Sequence, residues 1–254
     1  VYPIFLDVIS SQKISVGPPF YHKLIAPFLI PFLFAMAIGP RLKWIRSDLK
    51  DKIYLISLLI ISILISFFIV KNFNTNILIN TILISSALYL FLITMRDFFN
   101  KKYKNFAQNT AHFGFSLLIL SILFNNLFSS EIITNLKVGE TYDNSKTKIV
   151  FESINQKKEK NYKSIIANFN ITNSEGINNN LSPELRIYNQ PNITTSEADI
   201  KTTLMKDKFI VINLVQNQDY FNVRYQVKPF MLWIWLSVIM ISLGGLVSFL
   251  QKRI

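Results

Sequence analysis

Apolar residues in this chain fall in long blocks, not at the spacings of an amphipathic surface. Five blocks, at 20–38, 53–70, 77–95, 111–128 and 229–250, are candidate membrane spans. Each is close to the roughly 20 residues that cross a hydrocarbon core of about 30 Å. The second and third carry no charge at all. The first is apolar apart from Tyr21, His22 and Lys23, and holds Pro27 and Pro31 in its interior. Interior prolines are costly in a soluble helix, whereas neighbouring helices of a membrane bundle can satisfy the freed backbone. A buried soluble helix explains any one block, but not five together. The apolar stub at 1–9 is too short to span and lacks the charged flank of a signal peptide. It reads as the tail of a helix that starts upstream, and the chain as a fragment.

The stretch 129–227 has a different pattern. Runs of four to seven residues with partial alternation, at 148–152, 165–171, 184–188, 209–215 and 221–225, are separated by Asn, Gly and Pro. That spacing predicts strands of a small sandwich or barrel. The expected fold is therefore a membrane α-helical bundle of about five spans with a β-rich domain inserted before the last. Residues 1–128 would hold four spans, 129–227 the β-rich domain, and 228–254 the last span with its tail.

Composition sharpens this reading. Half of the 254 residues are apolar, 17% are charged, and the mean hydropathy is +0.32. The absence of Cys excludes a disulfide framework, a thiolate metal site and a thiol nucleophile. Two distant histidines, His22 and His112, leave no internal multi-His metal site. The net charge of +12 suggests nucleic acid until its distribution is considered. Arg41, Lys43, Arg46, Lys50 and Lys52 follow the first span; Arg96, Lys101, Lys102 and Lys104 follow the third; Lys252 and Arg253 follow the fifth. The stretch 129–227 is almost neutral, with twelve cations against eleven acids. Cations in short loops mark the cytoplasmic side, so 129–227 is expected outside and the C-terminus inside. No nucleic-acid partner is needed, and membrane lipid is the expected surroundings. Trp44, Trp233 and Trp235 fall at span ends, where an interfacial aromatic belt is expected.

Candidate chemistry is sparse, and no catalytic residue is identifiable. His112 opens the fourth span in Ala111-His-Phe-Gly114. Imidazole is the usual haem or metal ligand, and a titratable group at a membrane edge needs a partner. The competing reading is a headgroup-level histidine bonded to a carbonyl or phosphate. His22, beside Tyr21, reads as an interfacial polar residue. Gly114 leaves room for a helix or a ligand to approach, and Gly244-Gly245 offers a flat face for another helix. Pro18–Pro19 suggests extended backbone before the first span, and Pro229 is expected in the first turn of the last.

Several stretches, in order along nearly the whole chain, resemble the C-terminal part of the CcmF family. That family is the large membrane subunit of the bacterial and plant-mitochondrial cytochrome c haem lyase. The stretches are Ile14-Ser-Val-Gly-Pro-Pro-Phe20, Ile38-Gly-Pro-Arg-Leu-Lys-Trp44, Ala111-His-Phe-Gly114, and Lys228-Pro-Phe-Met-Leu-Trp-Ile-Trp235 with Leu243-Gly-Gly245. Pro183-Glu-Leu-Arg-Ile-Tyr188 and Ser196-Glu-Ala-Asp-Ile200 also look like family signatures. The resemblance implies periplasmic attachment of haem to the Cys-x-x-Cys-His thiols of apocytochrome c. It implies haem as cofactor and, as partners, a haem chaperone and a thiol-reducing subunit. It implies the bacterial, or else the mitochondrial, inner membrane. It also implies that the family's Trp-rich haem-handling segment lies upstream of Val1, in a truncated or a naturally split subunit. His112 is then the candidate haem ligand. Its expected place at the cytoplasmic end leaves three readings open: a re-entrant helix, a haem other than the one being attached, or a structural role. A polytopic transporter and a non-catalytic anchor presenting a docking domain are the alternative functions.

Overall fold

A computed structural model describes residues 18–42, 52–73, 76–99, 106–174, 176–215 and 219–251, with side chains in the first helix described from Leu24 onward. The chain divides into two units, Val1–Leu123 with Leu236–Ile254, and Phe124–Trp235.

Among the described residues five helices are long and apolar enough to cross a membrane: α1 (Pro18–Ile38), α2 (Lys52–Val70), α3 (Ile77–Phe99), α4 (Phe106–Phe128) and α5 (Met231–Gln251). A short 3-10 turn, Gly39–Arg41, closes α1. Pro18 and Pro19 are the first two residues of α1 and do not precede it as extended chain. The first turn tolerates proline because its N–H groups have no helical partner in any case. Pro27 and Pro31 lie inside the helix as expected.

The central helix of the bundle is α3. Residues Ile84 to Leu90, Ile93 and Thr94 are all buried along it. On α2 the buried positions are Leu55, Ser62, Ser66 and Val70, one stripe at helical spacing in which two small serines allow close approach. The Ser62 hydroxyl donates to the Leu58 carbonyl, so its polar atom is satisfied within the helix. Most other large apolar side chains of α2 are exposed, Phe68 and Leu64 among them, as a lipid-facing surface requires. Phe34 of α1 packs on Tyr89 of α3 at 5.8 Å, and Thr94 of α3 shares a 2.7 Å hydrogen bond with Ser116 of α4.

The second unit is a two-sheet sandwich of ten antiparallel strands. One sheet runs β1 (Ser130–Leu136), β10 (Phe221–Pro229), β9 (Lys206–Leu214), β8 (Asp199–Thr202). The other runs β2 (Thr141–Asp143), β3 (Thr147–Lys158), β4 (Tyr162–Asn173), β6 (Glu184–Tyr188), β7 (Thr194–Glu197), with β5 (Asn178–Leu181) also pairing with β4. Alternation aims Ile149, Phe151, Ala167, Phe169, Ile171, Ile210, Ile212 and Val223 into one core. Phe151 stacks on Phe169 at 4.4 Å and meets Phe221 edge-on at 5.6 Å. Tyr225 is also buried there, and burial pushes its phenol up to about 12. On the open face of the first sheet, Glu131 accepts hydrogen bonds from Gln226 and Arg224, which hold its carboxyl below the usual glutamate range.

Pro229 is the last residue of β10, not part of the first turn of α5. The turn between strand and helix is made by Phe230 at φ 61, a left-handed conformation rare for a bulky residue. Its cost is offset by packing and hydrogen bonding. The Phe230 ring lies 5.6 Å from Phe124, its N–H donates to the Met205 carbonyl at 2.8 Å, and Asn125 donates to the Pro229 carbonyl.

Candidate functional site

His112 lies in the second turn of α4 and is half-buried. Its neighbours along the helix define what surrounds it. Asn109, Phe113 and Ser116 contact α3: the Asn109 amide donates to the Asp97 carbonyl at 3.1 Å, Phe113 stacks on Phe98 at 5.1 Å, and Ser116 meets Thr94. Phe115 contacts Phe32 of α1 at 5.9 Å. At about 100° per residue, position 112 falls between Phe115 and Ser116, on the side of α4 that faces α1 and α3.

Both of those helices bring a charge to the same end of the bundle. Arg41, in the turn that closes α1, makes a two-pronged ion pair with Asp97 near the end of α3, at 2.7 and 2.8 Å. Each side chain is 13% exposed. Arg41 also donates to the Ala37 carbonyl at 2.9 Å, which stiffens the turn. Asp97 also accepts, through its main-chain carbonyl, the Asn109 amide three residues before His112. One residue away, the Arg96 guanidinium lies 4.0 Å over the Tyr54 ring at the start of α2. The ends of α1 and α3 and the starts of α2 and α4 therefore meet, as antiparallel neighbours must.

The opposite side of α4 is closed by α5. A Cβ on Gly114 would lie 3.0 Å from the Ser237 carbonyl and the Ile241 nitrogen. A Cβ on Gly244 would lie 2.8 Å from the Ala107 carbonyl and the Ala111 nitrogen. The space at Gly114 thus admits a helix, and Gly244 is the glycine that permits it. Gly245 has open space around it.

In the sequence Arg41 is one of the cations that orient the spans, and Asp97 lies among the cations that follow the third. The signal that could have paired them is an acid within an otherwise cationic set. His22 lies in α1, but its side chain is not among those described, and Trp44 lies outside the described residues. Trp233 donates its indole N–H to the Leu204 carbonyl at 3.0 Å, and Trp235 is exposed.

The two motifs of the sandwich have structural roles. Pro183 accepts a hydrogen bond from the Ala167 N–H where β4 exchanges β5 for β6, and Glu184 pairs with Arg186 at 3.0 Å. That contact holds the Glu184 carboxyl below its ordinary range. The stretch Ser196 to Ile200 takes the chain from β7 in one sheet to β8 in the other, with Asp199 accepting from the Ser182 N–H at 2.6 Å.

Residues 127–229 match a family model described as the CcmF C-terminal beta-sandwich. Over its whole length the chain is 24% identical to cytochrome c-type biogenesis protein CcmF of Pseudomonas fluorescens, covering 40% of that protein. Over 99% of its length it is 23% identical to CcmF of Escherichia coli (strain K12), again covering 40%. Residues 127–229 thus carry the CcmF C-terminal beta-sandwich, and the whole chain is similar to the C-terminal portion of CcmF proteins. It spans about two fifths of the length of the CcmF relatives it matches. A solved cytochrome c heme lyase CcmF has the same fold, with a TM-score of 0.71 and 18% identity over 96% of this chain and 41% of that one.

Proposed function

We propose that the chain is the C-terminal membrane part of a cytochrome c haem lyase, helping to position haem and apocytochrome c for thioether attachment in the periplasm. The observation that carries this reading is the match of the full chain to proteins named for cytochrome c biogenesis. Catalysis of this kind is mostly positioning, since the reacting thiols belong to the substrate and this chain has no Cys. Haem chaperone and thiol-reducing subunits are the partners this role requires.

A half-buried imidazole between ring-packed Phe113 and Phe115 is a donor of the type that holds haem, and His112 is the residue that would hold it. Bound haem would supply a redox-active iron there. Asn109 would act as a positioning residue, because its amide ties the main-chain carbonyl at position 97, near the end of α3, to the part of α4 that carries His112. The helix α4 is unbroken over 23 residues, about 34 Å long, so a re-entrant path has no support. A haem at His112 would then sit at the cationic end and be distinct from the one being attached.

Haem absorbance tests the site directly. The chain is co-expressed with a complementary N-terminal CcmF half, and the purified complex is examined. His112→Ala is expected to abolish the absorbance due to this ligand. Unchanged absorbance together with unchanged cytochrome yield would instead favour a non-catalytic anchor.

Orientation is read separately, on the periplasmic sandwich and cytoplasmic C-terminus that the loop charges favour. The chain has no native thiol, so a single Cys at exposed Ile177 reports it alone. A membrane-impermeant maleimide is expected to label it from outside intact spheroplasts. Labelling only after lysis would overturn the assignment.

A further inference from the structure

The hairpin joining β8 to β9 has an unusual tip. Thr202 pairs with Asp207, and Thr203 and Lys206 close the turn through the Thr203 N–H and hydroxyl, which both donate to the Lys206 carbonyl at 3.0 and 2.6 Å. The two residues at the tip are Leu204, 59% exposed, and Met205, 54% exposed. Tight hairpin tips facing water are normally Asn, Asp or Gly. An exposed apolar pair on a rigid turn therefore needs a covering phase.

Its position identifies that phase. The Met205 carbonyl accepts from the Phe230 N–H, and the Leu204 carbonyl accepts from the Trp233 indole at 3.0 Å. Met231 begins α5, so the tip is bonded to the residues at which that span starts. Trp233 is the type of side chain that sits at headgroup level. Lys201 is exposed and Lys206 half-buried on the two strands leading to the tip, where lipid phosphates would meet them. At the far end of β9 the chain lies eight residues away, about 26 Å by strand rise.

We propose that Leu204 and Met205 insert into the headgroup–acyl boundary of the bilayer, so that the sandwich is held to the membrane surface by this hairpin as well as by its covalent links to the spans. The lipid contact would set the height and tilt of the sandwich and keep its far end in water. The proposal rests on α5 crossing the bilayer and not on the haem-lyase reading.

The cysteine-free chain allows single-site labelling. Leu204→Cys and Met205→Cys, each carrying an environment-sensitive NBD dye, are reconstituted as the full chain in phosphatidylglycerol/phosphatidylcholine nanodiscs. Both are expected to show blue-shifted emission that is lost when shallow nitroxide-labelled lipids are included. Leu214→Cys, at the opposite end of β9 and 49% exposed, is expected to emit as in water without quenching. Water-like emission at the tip would overturn the proposal. So would blue-shifted emission that lipid nitroxides leave untouched, because a protein surface would then cover the tip. Leu243→Cys, near the middle of α5, calibrates the span with lipids carrying the nitroxide deep in the acyl chain. Failure of its dye to be quenched would overturn the span and the hairpin contact together, whereas quenching there with a water-like tip would overturn the hairpin contact alone.

Discussion

Asp97→Ala is expected to destabilise the helical unit by about 3–5 kcal/mol, because removing one partner of a buried pair leaves the other charge uncompensated. Arg41 and Asp97 are each only 13% exposed, and one guanidinium nitrogen, Nη2, reaches both carboxylate oxygens at 2.7 and 2.8 Å, a charge-assisted contact. The orphaned Arg41 would retain one donor contact, to the Ala37 carbonyl at 2.9 Å, and would have to draw water or headgroups into the bundle end. The double variant R41A/D97A removes both charges, so it should be less damaging than the sum of the two single variants. Thermal unfolding in detergent, followed by circular dichroism, measures this as a double-mutant cycle. Additive single effects would show that the pair is not coupled.

The second large effect is at Gly244. Its missing Cβ leaves room for the backbone of α4, with the Ala107 carbonyl and the Ala111 nitrogen at 2.8 Å from where that atom would be. Backbone cannot rotate aside as a flexible side chain can, so Gly244→Val must push α5 off α4. Overpacking of this kind costs about 1–3 kcal/mol, and more where no side chain can yield. Ala111 immediately precedes His112, so the displacement should also reduce haem absorbance. Gly245 is the internal control. Nothing lies within 4 Å of its Cβ position, and Gly245→Ala should raise helix stability by up to about 1 kcal/mol. Equal unfolding midpoints for Gly244→Ala and Gly245→Ala would contradict the close α4–α5 approach.

These two predictions concern residues that sequence patterning treats as ordinary. Arg41 and Asp97 are 56 positions apart, and their pairing depends on α1 and α3 running parallel side by side, with their C-terminal ends together. Gly244 and Gly245 are indistinguishable by composition, yet one faces a helix and the other open space. The turn at Phe230 is likewise invisible in the sequence, because Pro229 is equally acceptable at the end of a strand, here beyond the last residue paired with β1, and at the start of a helix.

In the sandwich, the five segments with clear alternation are all strands: β3, β4, β6, β9 and β10. The strands that patterning missed, β1, β2, β5, β7 and β8, are mostly three or four residues long and largely exposed. Such segments bury too little apolar surface to show a period of two. The stretch from Ser196 to Ile200, which looks like a family signature in the sequence, is placed by the structure at a sheet-to-sheet crossing.

Sequence alone determined that five segments suit a bilayer, because the free energy of moving some twenty apolar residues into lipid depends on composition and length and not on neighbours. It also determined that an alternating, nearly neutral stretch separates the fourth from the fifth. Tertiary structure alone decided which charges meet, which glycine is indispensable to packing, and what lies on either side of His112. Those outcomes depend on the rotation of each helix about its axis and on its partner, and such uniformly apolar spans carry little moment to specify either.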